Sequence, residues 1–440
     1  MNFILPPGPR GKWRPTLKIV ANPRRAFERW VSQFGDPFLV NALNGPIVVT
    51  GRSDLVKQVF GEDPGTFVPF AMETVQPMFG AGSMLLLSGD IHKRERRLIM
   101  PMFHGDRMKA YGQAMSQAAE RVYANLAQEQ SFLTLPRMNE ISLQIIARTI
   151  FGGNQDQRAA ELVNAGRLLV RASRPLLFFS KKMHVSFLGL SPWDRFCAAR
   201  QKLYRAFDQE CDSRLENQHN GDDILSHLMA AKYENGEPIT REHVRDELGT
   251  FLFAGHETSA LAMTWAMYHL HRHPEFLLKL RTELDSIDGQ QPAAFAQLAY
   301  LKAVVQESLR MHPIVTEVLR LLARPMQLGD YSLPAGMAIA PCTVLAHYNP
   351  QVFPEPDQFR PERFLEKSYS PFEYMPFGGG HRRCIGAAFA TFEMAIVLGT
   401  LLKRFEFELL EPKPVVQRRR NVTLGPSTGV RMRLVRQRSE

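Results

Sequence analysis

The chain has little cysteine. Its four residues of that type, Cys197, Cys211, Cys342 and Cys384, are scattered through 440 positions with no CxxC pair. That excludes a disulfide scaffold and leads us to expect a reducing, cytoplasmic setting. Long apolar runs are also missing. The N-terminal MNFILPPGPRGKW has three consecutive apolar residues before its prolines. A signal-peptide core needs more, and a membrane-spanning helix needs about 20. No transmembrane segment is expected. Internal repeats, low-complexity tracts and Pro/Ser linkers are absent, so one domain over residues 1–440 is expected. Dense Lys/Arg runs and nucleic-acid motifs are absent as well, although the net charge of +10 favours acidic partners or anionic surfaces.

What is present points to an enzyme with a large core, at 45% hydrophobic and 22% charged residues. The rest is organised around FGGGHRRCIG, Phe377 to Gly386. Cys384 precedes a nearly all-apolar helix expected from about Gly386 to Leu402. Unpaired N–H groups and the helix dipole should there lower a thiol's pKa, giving the metal-binding thiolate. Gly378, Gly379, Gly380 and Gly386 should let the backbone approach a flat ligand, and Arg382 and Arg383 add positive charge. The loop suits a planar, anionic, iron-bearing cofactor. The plainer reading is a small apolar cysteine beside a turn.

In chain order, residues 36–50 predict two strands around Asn44-Gly45, and a helix follows over Asp54–Phe60. Residues 64–87 are too irregular for a helix and too apolar for a solvated loop, so they line a pocket or fill core. GDIHKRERRLIMP, from Gly89 to Pro101, sets His92 and Arg96 on one helical face. Residues 174–193 form an apolar, Pro-bounded segment. The longest helix is expected over 240–273, about 50 Å at 1.5 Å per residue, capped by Thr240 and ended by His273-Pro274. Inside it, Gly255 costs about 1 kcal/mol against alanine, and Thr258 could turn its hydroxyl to the Ala254 carbonyl. His256-Glu257 is no zinc-protease motif, since Ala260 stands four after His256. His269 and His273 should face solvent at the helix end, complementing its dipole. Glu307 and Arg310 lie i, i+3 on the helix over 301–313. Strands are expected around Tyr331–Leu333 and Met337–Ala340. Asn421-Val-Thr matches a glycosylation pattern.

The cysteine loop resembles the haem-binding loop of the cytochromes P450 at Phe377, Gly380, Arg382, Cys384 and Gly386. The resemblance runs from Pro6 to the C-terminal strands. Ala254-Gly255-His-Glu257-Thr258 is similar to the family's oxygen-binding groove, and Glu307-x-x-Arg310 with Arg363 of PERF to its interlocked charges. The implied fold is mainly α: a helical part (about 52–320 and 380–404) with β-rich parts (about 36–50, 320–345 and 405–435). The resemblance implies haem b, with Cys384 as the proximal thiolate that favours O–O cleavage. It places Phe377, Gly378, Arg382, Gly386, Ala254 and Gly255 around the haem and makes His92, Arg96 and Arg320 propionate partners. Glu257 and Thr258 would help deliver protons to dioxygen, and Glu307, Arg310 and Arg363 would tie the cysteine loop to the core.

The implied function is monooxygenation: one oxygen atom of O₂ enters a C–H bond of a hydrophobic substrate. Ferredoxin or flavodoxin, with its reductase, would supply electrons near Lys93, Arg94, Arg97 and Arg383. FGGGHRRCIG and FRPERF most resemble cyanobacterial and myxobacterial members, for which fatty acids and terpenoids are usual substrates. Candidate substrate contacts are Phe67, Phe70, Met78, Phe179, Leu252 and Val315, with Arg174 a possible carboxylate clamp beside a mobile lid. A monomer is expected. A haem-thiolate sensor or carrier, and a peroxide-driven or isomerase-type enzyme, are the alternatives; the intact Glu257-Thr258 pair counts against both.

Overall fold

The computed structural model describes residues 3–103, 105, 107–152, 157–174, 177, 181–217, 221, 223–287, 291–420 and 422–438. At its centre lies the long helix, Arg241–Arg272. Thr240 caps it by accepting from the His243 N–H at 3.3 Å, and Glu242 occupies its first turn, where the dipole favours an acid. Its second half is apolar on every face and buried, with Leu261, Met263, Trp265 and Met267 fully enclosed. The helix packs against Thr134–Phe151, Ala299–Met311 and the cysteine helix, Ala387–Arg404.

The strands, in chain order, are β1 (Phe38–Ala42), β2 (Gly45–Thr50), β3 (Phe67–Val68), β4 (Ser131–Leu133), β5 (Arg320–Leu322) and β6 (Met326–Leu328). They continue as β7 (Tyr331–Leu333), β8 (Ala338–Pro341), β9 (Phe405–Leu409), β10 (Gln417–Arg419), β11 (Leu424–Pro426) and β12 (Arg431–Gln437). The largest sheet has the order β1-β2-β8-β5-β3. β1 and β2 form the expected hairpin with Ala42 opposite Gly45. Gly45 has φ +116°, a conformation that favours glycine over other residues. A second sheet, β4-β12-β9, joins the chain's end to the start of the Thr134–Phe151 helix.

Two expectations are corrected. Residues 64–87 contain a helix, Met72–Phe79. Pro77 falls near its end and interrupts little of it, and Gly80 closes it by donating to the Gln76 carbonyl at 2.9 Å. His269 does not face solvent: it is 6% exposed. Its Nε2 lies 2.7 Å from Nε2 of His312, whose ring stacks on Trp265 at 3.5 Å. Packing between two helix ends has overridden the dipole there. Asn421 lies outside the described residues.

Candidate active site

Close contacts that need glycine build the cysteine loop. Gly380 has φ +64°, and a Cβ on it would sit 2.6 Å from the Phe60 carbonyl oxygen. A Cβ on Gly379 would strike the Phe60 ring. These two glycines therefore seat the loop on the Ser53–Gly61 helix, a close approach that the sequence alone did not indicate. Gly378 lies against Val318, whereas a Cβ on Gly386 would meet nothing within 4 Å. The Cys384 N–H closes the loop by donating to the Phe377 carbonyl at 2.9 Å.

Cys384 is exposed, although it lies just before a buried helix. Desolvation by the surrounding protein pushes its thiol above the ordinary value, against the pull of the Gly386 N–H, Arg383 and Arg96. The expected lowering is thus reversed within the protein alone. Helix-end N–H groups and two guanidinia act in the expected direction, but desolvation is larger.

Near this loop, basic side chains gather. His92 is 3% exposed, and its Nδ1 has no hydrogen-bond partner. Burial, together with Arg382, His381, Arg96 and Arg320, drives its pKa down to about 3. Arg320 is buried, and desolvation with Arg382 beside it lowers it to about 10. Arg382 donates to the carbonyls of Leu85, at 3.1 Å, and Leu87. No carboxylate counters Arg96, Arg320 or Arg382 in an ion pair among the described residues. Arg320 is buried and the other two are half-buried, and cations so desolvated are unfavourable unless an anion lies between them.

A second charged group is fully paired. Glu307 takes Arg310 in a fork, at 2.7 and 2.9 Å, and Arg363 Nε at 3.1 Å. It also accepts from the Arg360 N–H at 2.9 Å. Arg310 continues to the His347 carbonyl at 3.0 Å, and His347 Nε2 accepts from the Met375 N–H at 2.9 Å. Met375 stands two residues before Phe377, so the tie runs from the Ala299–Met311 helix to the cysteine loop. Sequence reasoning found the three charges and missed His347, for which no motif gives a signal.

On the long helix, Thr258 Oγ1 donates to the Ala254 carbonyl at 2.6 Å, as its position suggested. Ala254 is exposed in mid-helix while Phe251, Leu252 and His256 are buried, so a space borders this turn. Gly255, half-buried beside it, has no room for a side chain toward Ile146, where a Cβ would lie 3.2 Å from Cδ1, so the glycine also serves helix packing. Glu257 meets Arg420 Nε and Thr423 Oγ1, each at 3.5 Å.

The expected substrate contacts separate. Met78 lines a small cleft with Phe79, Leu169, Phe196, Arg200 and Phe253. Phe70 is half-buried. Phe67 is core: it is 1% exposed, pairs with Leu322 and has its ring 6.3 Å from that of His381. Leu252 packs against Gly166. Val315 is 41% exposed, and Phe179 lies outside the described residues. Arg174 is exposed, whereas Arg200, which the sequence did not single out, faces the apolar cleft.

The sequence matches the cytochrome P450 family over residues 6–430. The chain belongs to the cytochromes P450. It is 35% identical to cytochrome P450 138 of Mycobacterium tuberculosis over 443 residues, covering 97% of this chain and 96% of that one. To cytochrome P450 135B1 of the same species it is 30% identical over 452 residues, covering 98% and 91%. Its fold is similar to the solved structure of retinoic acid bound cyanobacterial CYP120A1, with a TM-score of 0.87, 22% identity, and 99% and 100% of the two chains covered.

As a P450 the protein is a haem-thiolate monooxygenase that uses haem b and O₂. The residues present fit that group. An exposed thiol at a loop end offers a soft ligand for iron, and the uncountered guanidinia, with the orphaned His92 Nδ1, suit two propionates. Those anions would reverse the mutual repulsion of the basic cluster. No helix among the described residues is long and apolar enough to cross a membrane.

Proposed function

We propose that this P450 oxygenates a C–H bond of an elongated hydrophobic molecule of the fatty-acid or terpenoid class, within one domain spanning the chain. Cys384 would hold the haem iron, His92, Arg96 and Arg320 its propionates, and Arg382 the loop beside them. The haem, when bound, supplies the oxidising chemistry; the chain binds, shields and moves protons. Thr258 keeps its hydroxyl at the exposed Ala254 turn, and Glu257 stands on the next residue back as the proton source.

The apolar side chains Met78, Phe79, Leu169, Phe196 and Phe253, gathered with Arg200 around a cleft of about 10 Å³, support the substrate reading by their chemistry; an elongated ligand would have to part them. Arg200 donates to the Pro77 carbonyl and replaces Arg174 as the side chain placed to meet a carboxylate. The CYP120A1 structure was solved with retinoic acid, an apolar acid of the same kind. Each added methylene contributes about 0.8 kcal/mol, or roughly fourfold in affinity, until the site is full. Spectral titration with saturated fatty acids and their methyl esters checks this. A dissociation constant independent of chain length refutes the hydrophobic reading; acids and esters binding equally refute only the Arg200 contact.

Electrons would come from an acidic ferredoxin or flavodoxin with its reductase. The expected docking residues are revised: Lys93 pairs with Asp90 at 3.0 Å, Arg94 with Glu95 at 3.4 Å and Arg97 with Glu234 at 2.6 Å. Their charge is largely offset locally. Arg383 and Lys302, both exposed, line a groove of about 520 Å³ beside the cysteine loop, with Phe377 and Phe392. Turnover with such a donor should fall as salt rises, since exposed charges are screened beyond about 8 Å at physiological ionic strength. Salt-independent turnover points to apolar docking instead. Four free thiols support the reducing cytoplasm, where the protein would act as a monomer; fractionation and sedimentation read the two directly.

A further inference from the structure

Glu393, on the cysteine helix, is 1% exposed. Its Oε1 lies 2.8 Å from Oγ of Ser142 on the Thr134–Phe151 helix, and its carboxyl also takes a hydrogen bond from Ser259. Ser142 Oγ in turn lies 3.4 Å from the Gly255 carbonyl oxygen. No charged or titratable side chain on any packed element contributes to the ionisation of Glu393 among the described residues. Desolvation dominates, opposed only by the hydroxyls of Ser259 and Ser142, and pushes the acid from 4.5 up to about 7.

Counting protons fixes the form that makes this network complete. Ser142 has one proton and two acceptors in reach. A carboxylate at Glu393 would claim that proton and leave the Gly255 carbonyl without it. A neutral acid brings its own proton, donates it to Ser142 Oγ, and frees Ser142 to donate to Gly255. Ser259 donates to the carboxyl in either case. A buried carboxylate with no cation beside it is also the less favourable state. Glu393 thus holds both ends of one turn, Gly255 through Ser142 and Ser259 directly, and Glu257 and Thr258 lie between them.

We propose that Glu393, as a neutral acid, is a positioning residue for oxygen chemistry: it donates to Ser142, which holds the Gly255 carbonyl and fixes the turn carrying Glu257 and Thr258. This rests on reading those two residues as the proton-delivery pair. When Glu393 ionises, Ser142 turns back to it and the turn loosens on that side. Stability changes in the same direction. The folded chain holds a proton that the unfolded one releases, so the contribution of Glu393 declines as pH rises from 4.5 to about 7.

The test uses the haem-loaded protein as wild type, Glu393→Gln, Ser142→Ala and Thr258→Ala. The readouts are the share of electrons lost as peroxide from about pH 6 to about pH 8.5, the C–O stretch of the carbon-monoxide complex, and thermal unfolding against pH. Wild type should lose a several-fold larger share as pH passes about 7. Glu393→Gln, whose amide both donates and accepts, should stay coupled and flat and lose the pH slope of stability. Ser142→Ala should waste electrons at every pH and shift the C–O stretch, in the direction Thr258→Ala shifts it. A wild-type profile flat in pH, with Ser142→Ala still coupled, overturns the inference even if Glu393→Gln does not fold. A change in stability alone, with coupling and stretch unmoved, reduces Glu393 to a packing residue and also overturns it. Tight coupling in Thr258→Ala would instead sink the underlying reading of Glu257 and Thr258.

Discussion

Replacing Cys384 with alanine is expected to abolish the thiolate-type absorption of the reduced carbon-monoxide complex completely, while Cys342→Ala leaves it intact. The distinction follows from where the two thiols stand. Cys384 is exposed at the end of the glycine loop, with its own N–H tied back to Phe377 at 2.9 Å. Cys342 is 0% exposed in the core formed around Trp30 and Phe38, and burial with Glu317 nearby holds its thiol well above the ordinary value. A metal ligand must be reachable and must ionise: desolvation raises both thiols, but only Cys384 is exposed and has an N–H and two guanidinia opposing the rise, whereas Glu317 adds to it at Cys342. Reduced-minus-oxidised spectra of both variants under carbon monoxide check the assignment. Retention of the thiolate band in Cys384→Ala, or its loss in Cys342→Ala, would falsify it.

Glu307→Leu is expected to cost about 3–5 kcal/mol, because it strands two guanidinia inside the protein. Arg310 and Arg363 are 0% and 2% exposed, and neither has another carboxylate among the described ion pairs. Such a loss is a large part of the roughly 5–15 kcal/mol by which domains are stable. The damage should also reach the cysteine loop, because the hydrogen bonds from Arg310 through His347 to Met375 depend on this cluster. Haem content per chain should therefore fall together with the denaturation midpoint. Removing Glu307 and Arg310 together should cost less than the sum of the single changes, as residues sharing one network couple by about 0.5–3 kcal/mol. A loss below about 1 kcal/mol with normal haem content would show that the cluster is dispensable.

The elements legible in the sequence were those whose signal is local. Thr240 and His273-Pro274 mark the ends of the long helix because capping and helix breaking act over a few residues, and Asn44-Gly45 marks its hairpin in the same way. The cysteine loop, the Ala254–Thr258 turn and the Glu307–Arg310 pair are each compact enough to read as motifs. What the sequence could not show joins distant segments. Ser142 and Glu393 are 251 positions apart, and Arg382 reaches back to the carbonyls of Leu85 and Leu87. The packing of Phe60 against Gly379 and Gly380 is likewise a tertiary fact. His269 looked like a helix-end cation for the same reason: its partner, His312, arrives from another helix.

The strand β12 has a consequence for how the chain is made. Met432 pairs with Phe132 on one side and Leu409 on the other, and the N–H of Thr134 donates to the Val430 carbonyl at 2.8 Å. The start of the Thr134–Phe151 helix thus has its native neighbours only after residues 430–433 have been made. Arg420 and Thr423, which meet Glu257, arrive almost as late. Domains assembled from local pieces can fold as they emerge, N-terminal part first. Here β4 and the first turn of the Thr134–Phe151 helix keep unpaired backbone groups until β12 has been made, so this part of the core closes late.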